Sequence, residues 1–500
     1  QLKNASKGIK RLSIRPYNWW NECLHGVARA GTATVFPQAI CMAATFSSDL
    51  LFRTAKMISV EARAKYNESQ TKGDYGIYKG LTMWSPNINI YRDPRWGRGQ
   101  ETYGEDPYLT AVLGVAFIKG LQGDDPDYIQ TAACAKHFAV HSGPEEQRHS
   151  FNAQVSKKDL FETYLPAFKK AVMDGRVCGV MGAYNRVNGE CCCASETLIK
   201  KLLRNAWGFD GYFVSDCGAL CDIVKHHRLA SNPIKGAALA VNSGCELECG
   251  KMFKFLPVSY AVQSVSKDTL RSSAAKLLAV RSSLGMFSEN CPYDNIAPEE
   301  NASPEHEEFA VNMAEKGIVL LENDGILPFQ NKGLKFLIVG YNAENDLAYL
   351  GNYFGTPTEF VKLRQGIREL NADAEYVQGY SYNAKENTRL QAEACEKARQ
   401  ADVLLVCTGL DCSMEGEEAG ELLQGGGGML GKQGDRQTLE LPDVQKELLE
   451  KLMGFGKKIV ILNFSGGAVD LRPYKKRADA ILQCWYPGAK AGRAIANLLF

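Results

Sequence analysis

Apolar and polar positions along this chain change period in a regular way. Short apolar runs occupy 81–84, 130–134, 178–183 and 211–215, and helix-like stretches such as 158–174 and 196–206 alternate with them. Runs of this length, bordered by turn-forming residues, read as strands buried on both faces. Strands alternating with helices predict parallel βα units. The pattern breaks at 288–300, SENCPYDNIAPEE, which is polar, contains two prolines and has no periodicity, so it reads as a linker. Beyond it a helix is predicted over 304–317, with apolar runs at 335–340, 402–408, 457–463 and 479–484 and helical periodicity at 385–400 and 443–453. Parallel strands covered by helices on both faces suit that second pattern too. The chain therefore reads as α/β in two domains, 1–287 and 301–500.

Length agrees, because 500 residues exceed what a single core normally supports. Charge narrows the partners. With 58 basic and 57 acidic side chains, no field favours nucleic acid or an anionic membrane surface. No run of eighteen apolar residues exists, so no membrane-spanning helix is predicted. The first residue is Gln and no signal-like segment follows it, so trimmed ends are expected.

Sixteen cysteines are many for a chain of this size, yet their spacing is not a disulfide framework. Cys191, Cys192 and Cys193 are consecutive, and Cys245 and Cys249 flank Glu-Leu-Glu. The short intervals among Cys217, Cys221, Cys245 and Cys249 invite zinc, but the paired Cys-x-x-Cys units of structural zinc sites are missing, so no metal is expected. Buried free thiols are the default, with one or two disulfides near the mouth of the first domain if the protein is exported. Glycines 425–428 lack a Gly-Lys-Ser/Thr ending and follow an acidic stretch, so a phosphate loop is rejected in favour of a surface insertion over 418–433.

Candidate chemistry starts at Asp216, which directly follows the apolar run in Gly-Tyr-Phe-Val-Ser-Asp-Cys-Gly. A carboxylate just past a strand's carboxyl end is where parallel βα folds put their active sites. A capping role in a turn is the plainer alternative. Other polar groups sit in equivalent places: Lys136 and His137 after a small-residue apolar run, Tyr184 after Val-Met-Gly-Ala, and Arg98 in a glycine-flanked loop. Several strand ends rich in Arg, Lys, His, Tyr and carboxylates suit a ligand covered in hydroxyl groups.

These segments carry a resemblance. NECLHGV (21–27), RDPRWGR (92–98), ETYGEDPYL (101–109), AKHF (135–138), MGAYNRVNG (181–189), LRNAWGFDGYFVSDCGAL (203–220) and GLDCSMEGE (409–417) resemble glycoside hydrolase family 3, in that family's order. Trp19-Trp20-Asn21-Glu22 and Ser142-Gly143-Pro144-Glu145 look most like its β-xylosidases. The resemblance implies a (β/α)8 TIM-like barrel over 1–287 followed by an α/β sandwich with a mostly parallel sheet over 301–500, and a chain cut short at both ends. It also implies a retaining exo-acting β-glycosidase that needs no cofactor. A β-D-xylosidase acting on xylo-oligosaccharides is the favoured form. A β-glucosidase, an α-L-arabinofuranosidase and an inactive sugar-binding protein are the alternatives.

Retention requires one ionised carboxyl to attack C1 and one protonated carboxyl to feed the leaving oxygen. The resemblance assigns the first role to Asp216 and the second to Glu415, with Glu417 as runner-up. Arg98, Lys136 and His137 are expected to supply positive charge that lowers the pKa of Asp216, and Tyr184 to support it. Arg148 joins the substrate-binding set. Glu22, one methylene longer than the usual Asp, is expected to fill the space of a hydroxymethyl group and so favour a pentose. Among Trp84, Trp96 and Trp485, the loop-borne Trp96 is the expected sugar platform. Glu246 and Glu248 fall where the family carries an Asp-containing loop, and their role stays open. Plant cell-wall substrates suggest a secreted or periplasmic protein, and Asn4, Asn67, Asn301 and Asn463 lie in glycosylation triplets.

Overall fold

The computed structural model describes residues 1–330, 333–370, 372–418 and 434–500, apart from the side chain of Ala384. From residue 419 onward, the insertion 418–433 lies outside the described residues. In chain order the first lobe carries β1 (Ala5–Ser6), β2 (Tyr17–Asn18), β3 (Thr82–Met83), β4 (Ala132–Phe138), β5 (Asn152–Ala153), β6 (Gly179–Gly182), β7 (Arg186–Val187), β8 (Glu190–Cys191) and β9 (Tyr212–Ser215). Strands β3, β4, β6 and β9 form a parallel sheet in that order, and β5, β7 and β8 form a small separate one. Single bridges carry the main pairing further, Asn21 joining Met83 at one edge and Leu247 joining Val214 at the other. Glu248 then bridges to Lys3, next to β1, which pairs antiparallel with β2. The pairings therefore run from neighbour to neighbour in a circuit.

Side-chain alternation along these strands builds two cores, because successive residues of a strand point to opposite faces. Ala132, Cys134, Met181, Tyr212 and Val214 pack with Tyr17, Trp19, Trp84 and Leu247. The alternate residues Ala133, Ala135, Val180 and Phe213 pack outward on the helices Ser48–Thr71, Pro107–Gln122 and Pro166–Met173. Strand β4 runs four residues past the apolar run expected at 130–134, so Lys136 and His137 are strand residues and not loop residues. Both remain buried, which polar groups tolerate only with partners.

The second lobe carries β10 (Val319–Asn323), β11 (Phe336–Val339), β12 (Ala374–Val377), β13 (Val403–Gly409), β14 (Lys458–Phe464) and β15 (Ala480–Gln483). They form one sheet in the order β10-β15-β14-β13-β11-β12. Strand β10 runs antiparallel to β15 and the other neighbours are parallel, so the sheet is mixed where a mostly parallel one was expected. The sequence pattern does not separate β10, because its short apolar run, 318–321, continues directly from the helix predicted over 304–317; as an edge strand it leaves Leu320 and Leu321 exposed. The central strand β13 is buried on both faces. Val403, Leu405 and Cys407 meet the helices Leu363–Glu369 and Ala491–Leu499, while Leu404 and Val406 meet Asn387–Gln400 and Asp443–Met453. Each such side chain contributes about 1.5–3 kcal/mol by leaving water.

The segment 288–300 follows the first lobe's surface, where the amide of Asn67 donates to the carbonyls of Tyr293 and Ile296, both at 3.0 Å. Between the lobes, the buried carboxylate of Glu61 accepts from the Thr34 backbone (3.0 Å) and meets His306 Nδ1 at 2.9 Å. Among the described residues, no helix is long and apolar enough to cross a membrane.

Candidate active site

Asp216 stands one residue past β9, and its carboxylate is almost completely buried. Oδ1 accepts from the Cys217 backbone N–H at 2.7 Å, and Oδ2 lies 3.6 Å from His137 Nε2. Cys217 is disulfide-bonded to Cys249, which ties the strand-end loop to the neighbouring one. Two of the four cysteines weighed for zinc are thereby accounted for.

His137 is held in one tautomer. Its backbone N–H donates to Asn89 Oδ1 (2.8 Å) and its carbonyl accepts from Asn89 Nδ2 (2.9 Å), which fixes that amide's orientation. Nδ1 therefore carries the proton and donates to the same Oδ1 at 3.0 Å, leaving Nε2 to accept from Arg98 Nη2 at 3.3 Å. Burial, reinforced by Arg98 and other nearby cations, pushes the imidazole well below its ordinary range. His137 is thus neutral, which corrects the expectation that it adds positive charge.

Arg98 is the hub. It donates to Glu101 through Nε and Nη2 (2.8 Å at the shortest) and reaches Glu417 Oε1 through Nη1 at 3.3 Å. Arg148 Nη1 donates to the same Glu417 oxygen at 2.9 Å and lies 3.2 Å from Glu145. Tyr353 donates its phenol proton to Glu417 Oε2 at 2.6 Å. These donors outweigh burial and hold Glu417 well below the usual carboxylate range. Asp216 moves the other way. Burial raises it, Glu417's negative charge adds to the rise, and Arg98 and Lys136 only partly pull it back. The expectation of a lowered Asp216 is corrected: the guanidinium is largely spent on two other carboxylates.

Glu415 and Glu417 are two residues apart yet face different surroundings. Glu415 Oε1 accepts from the Gly466 backbone and from the Tyr486 phenol, both at 2.6 Å, and Oε2 lies 3.5 Å from Arg436 Nη1. Burial raises its pKa. All three partners belong to the second lobe. Glu417, not Glu415, is the carboxylate whose charge bears on Asp216 and on Tyr184. The carboxylate coupled to Asp216 is thus the runner-up of the sequence reading. Gly97 permits the approach, since a methyl group there would overlap the backbone of Gly416 and the Gly434 carbonyl.

Along the other wall, Lys136 Nζ donates to Glu22 Oε2 at 3.0 Å, and the Trp20 indole N–H donates to Glu22 Oε1 at 3.1 Å. Trp20 stacks on the buried Trp84 with ring centroids 5.7 Å apart. Tyr184 donates to the Cys217 carbonyl at 3.1 Å, and Arg148 lies 5.0 Å from its ring centre. Trp96 is only 2% exposed, its indole N–H on Glu145 (2.9 Å) and its ring edge against His141. It is a packed wall and not the open platform expected of it; Trp20 is the more accessible indole of the pocket. Trp485 bonds to the Gly317 carbonyl. Glu246 is consumed by Arg204 and Lys276, and Glu248 by the Met252 and Phe253 N–H groups, so both are structural. Asn463 is fully buried, which removes its glycosylation triplet.

Trp20 and Glu101 lie within the motifs that carry the resemblance, without a role of their own there; Asn89 and Tyr353 do not stand out in the sequence. Trp20 borders Glu22 and could have been found by adjacency. Nothing near Tyr353 marks it, because its partners, Glu417, Lys136 and Arg29, are all distant in sequence. Next to the pocket, a groove of ≈ 940 Å³ lined by Arg92, Trp96, Glu418, Asp435 and Arg436 opens between the lobes.

Two family descriptions match the chain, the glycosyl hydrolase family 3 N terminal domain over residues 3–280 and the glycosyl hydrolase family 3 C-terminal domain over 318–500. The chain belongs to glycosyl hydrolase family 3. It is 33% identical to a xylan 1,4-beta-xylosidase of Xylanibacter ruminicola, covering 100% of this chain and 75% of that protein. It is 38% identical to a probable beta-D-xylosidase 7 of Arabidopsis thaliana, covering 100% of this chain and 66% of that protein. Among solved structures, a GH3 exo-beta-xylosidase in complex with a xylobiose aziridine probe superposes with a TM-score of 0.90 at 31% identity, over 99% of this chain and 64% of that one. A beta-glucosidase from Listeria innocua in complex with isofagomine gives 0.84 at 28% identity, over 98% and 64%. The chain spans about two thirds to three quarters of the length of these relatives.

Proposed function

We propose that this chain is the catalytic core of a retaining, exo-acting β-D-xylosidase that releases xylose from the non-reducing ends of xylo-oligosaccharides. One observation carries the reading. Asp216 of the first lobe and Glu417 of the second converge on one buried polar pocket, linked through His137 and Arg98. Similarity to proteins named xylosidases supports the substrate. The circuit of strand pairings supports a TIM-like barrel over 1–287, joined by 288–300 to an α/β sandwich over 301–500.

In this reading Asp216 attacks the anomeric carbon and Glu417 protonates the departing oxygen. Water then attacks the glycosyl-enzyme, giving its proton back to Glu417. Lys136, Glu22 and Arg98 hold sugar hydroxyls, Tyr184 lines the side of Asp216, and Arg148 anchors the acid. The groove at Trp96 and Arg436 receives the leaving group. In the free chain burial and the charge of Glu417 raise Asp216, while Arg98, Arg148 and Tyr353 hold Glu417 low. The Cys217–Cys249 disulfide supports residence in an oxidising compartment outside the cytosol.

Trapping with a 2-deoxy-2-fluoro-xyloside tests the proposal. Mass spectrometry is expected to find the label on Asp216, and NMR to find β-xylose as the first product. A label elsewhere or an inverted product overturns the mechanism. A faster rate on the aryl glucoside or arabinofuranoside than on the xyloside overturns the specificity.

A further inference from the structure

The second lobe reaches into the pocket by a second route, besides the acidic loop. Residues 351–356, Gly-Asn-Tyr-Phe-Gly-Thr, lie against the first lobe as a strap. Asn352 fastens it. Its carbonyl meets His25 Nε2 (2.8 Å) and Gln38 Nε2 (3.0 Å), its N–H donates to Gln100 Oε1 (3.0 Å), and its side chain donates to Glu101 Oε1 (3.2 Å). Two further ties follow, from the Arg29 N–H to the Phe354 carbonyl (3.3 Å) and in the bridge of Thr32 to Thr356.

Between these anchors Tyr353 has φ = 61°, in the left-handed region. A bulky residue adopts that conformation only when its surroundings impose it, and such residues cluster at functional sites. Here the strained backbone turns the phenol inward. Tyr353 OH donates to Glu417 Oε2 at 2.6 Å, while the ring covers Lys136 Nζ, 4.8 Å from its centre, and Arg29, 4.9 Å from it. Glu417 is thus held from both sides, by first-lobe guanidinium groups on Oε1 and by a second-lobe phenol on Oε2.

We infer that Tyr353 is a positioning residue for the proton donor: its hydroxyl fixes the rotamer of Glu417 and sets when that carboxyl is protonated, and its ring caps the ammonium group of Lys136 in the sugar pocket. This rests on Glu417 being the acid. A phenol that donates to the carboxylate stabilises its charged form, so removing the hydroxyl makes Glu417 easier to protonate. Because the acid must be protonated to act, the basic limb of the pH profile then moves to higher pH.

The test is Tyr353→Phe, which keeps the ring and the backbone. The basic limb of kcat/KM on xylobiose is expected to rise by about one pH unit. Turnover of xylobiose is expected to fall roughly tenfold or more, and that of an activated 2,4-dinitrophenyl xyloside to change little. An unmoved limb, or an equal loss on both substrates, overturns the role of Tyr353. Glu417→Ala is measured in parallel. If it fails to discriminate between the two leaving groups, the acid assignment itself is wrong; if it discriminates while Tyr353→Phe does nothing, only the inference about Tyr353 falls. Tyr353→Asn, whose side chain tolerates the left-handed backbone, is expected to fold and to show the same pH shift together with a raised KM from loss of the ring.

Discussion

The two carboxylates that meet in the pocket come from regions built on different principles. Asp216 is carried on the end of a strand that is paired on both sides, with its loop tied down by a disulfide. Its position is set by the first lobe alone. Glu417 sits in a loop after β13; Tyr353 of its own lobe holds one of its oxygens, and Arg98 and Arg148 of the other lobe hold the second. Its full set of partners exists only once the lobes have docked. Glu415, two residues earlier, shows what the same loop offers without that docking: a carboxylate satisfied by Gly466, Tyr486 and Arg436 of its own lobe. A buried carboxylate is easy to satisfy within one lobe, but one facing the other lobe requires charge complementarity across the boundary.

The strongest way to break this comparison is to remove the strand-end group. Asp216→Ala is expected to lower turnover of 4-nitrophenyl β-xyloside by on the order of 10⁴-fold or more. Added azide should partly restore it, giving the α-xylosyl azide. Full activity in the variant would remove Asp216 from the chemistry.

Next comes the contrast between the two acids. Glu417→Ala is expected to cut turnover of xylobiose by about 10²–10⁴-fold while sparing activated leaving groups. Glu415→Ala should behave differently. It leaves the buried Arg436 guanidinium without its carboxylate, a change that costs about 3–5 kcal/mol when a buried pair is broken. A lower Tm and an equal loss on both substrate types are therefore expected. Steady-state kinetics with a leaving-group series and a thermal melt separate the two outcomes, and the reverse pattern would restore Glu415 as the acid.

Docking can be loosened without touching an acid. In Gly97→Ala the added methyl would stand 2.5 Å from the Gly416 carbonyl oxygen, so the acidic loop must move. A shift of about 1 Å can cost roughly 10²-fold when it misplaces a reacting group. Xylobiose turnover should drop while labelling of Asp216 by the fluorosugar persists. Unchanged turnover would show that the loop finds its place without this close approach.

The smallest effect expected is on specificity. Glu22→Asp should raise the glucoside-to-xyloside ratio of kcat/KM, by an amount corresponding to about 1–3 kcal/mol, since discrimination by one methylene is of that size. A constant ratio on a panel of aryl glycosides would remove Glu22 from the account of substrate choice.

Much of this was legible in the sequence, and the boundary between what was and was not is physical. Local period and strand-end placement determined the βα alternation and the candidacy of Asp216, Arg98, Lys136, His137 and Tyr184, because burial on both faces and exposure at a strand end leave marks on adjacent residues. Edge strand β10 escaped because its short apolar run, 318–321, follows directly on a helix, where periodicity does not tell strand from helix. The different surroundings of Glu415 and Glu417, the neutral tautomer of His137, the raised Asp216 and the reach of Tyr353 were decided by tertiary structure alone. Each depends on charges and hydrogen-bond partners brought together from distant positions, and both electrostatic energy and hydrogen-bond geometry are set by separation in space, which sequence order does not encode.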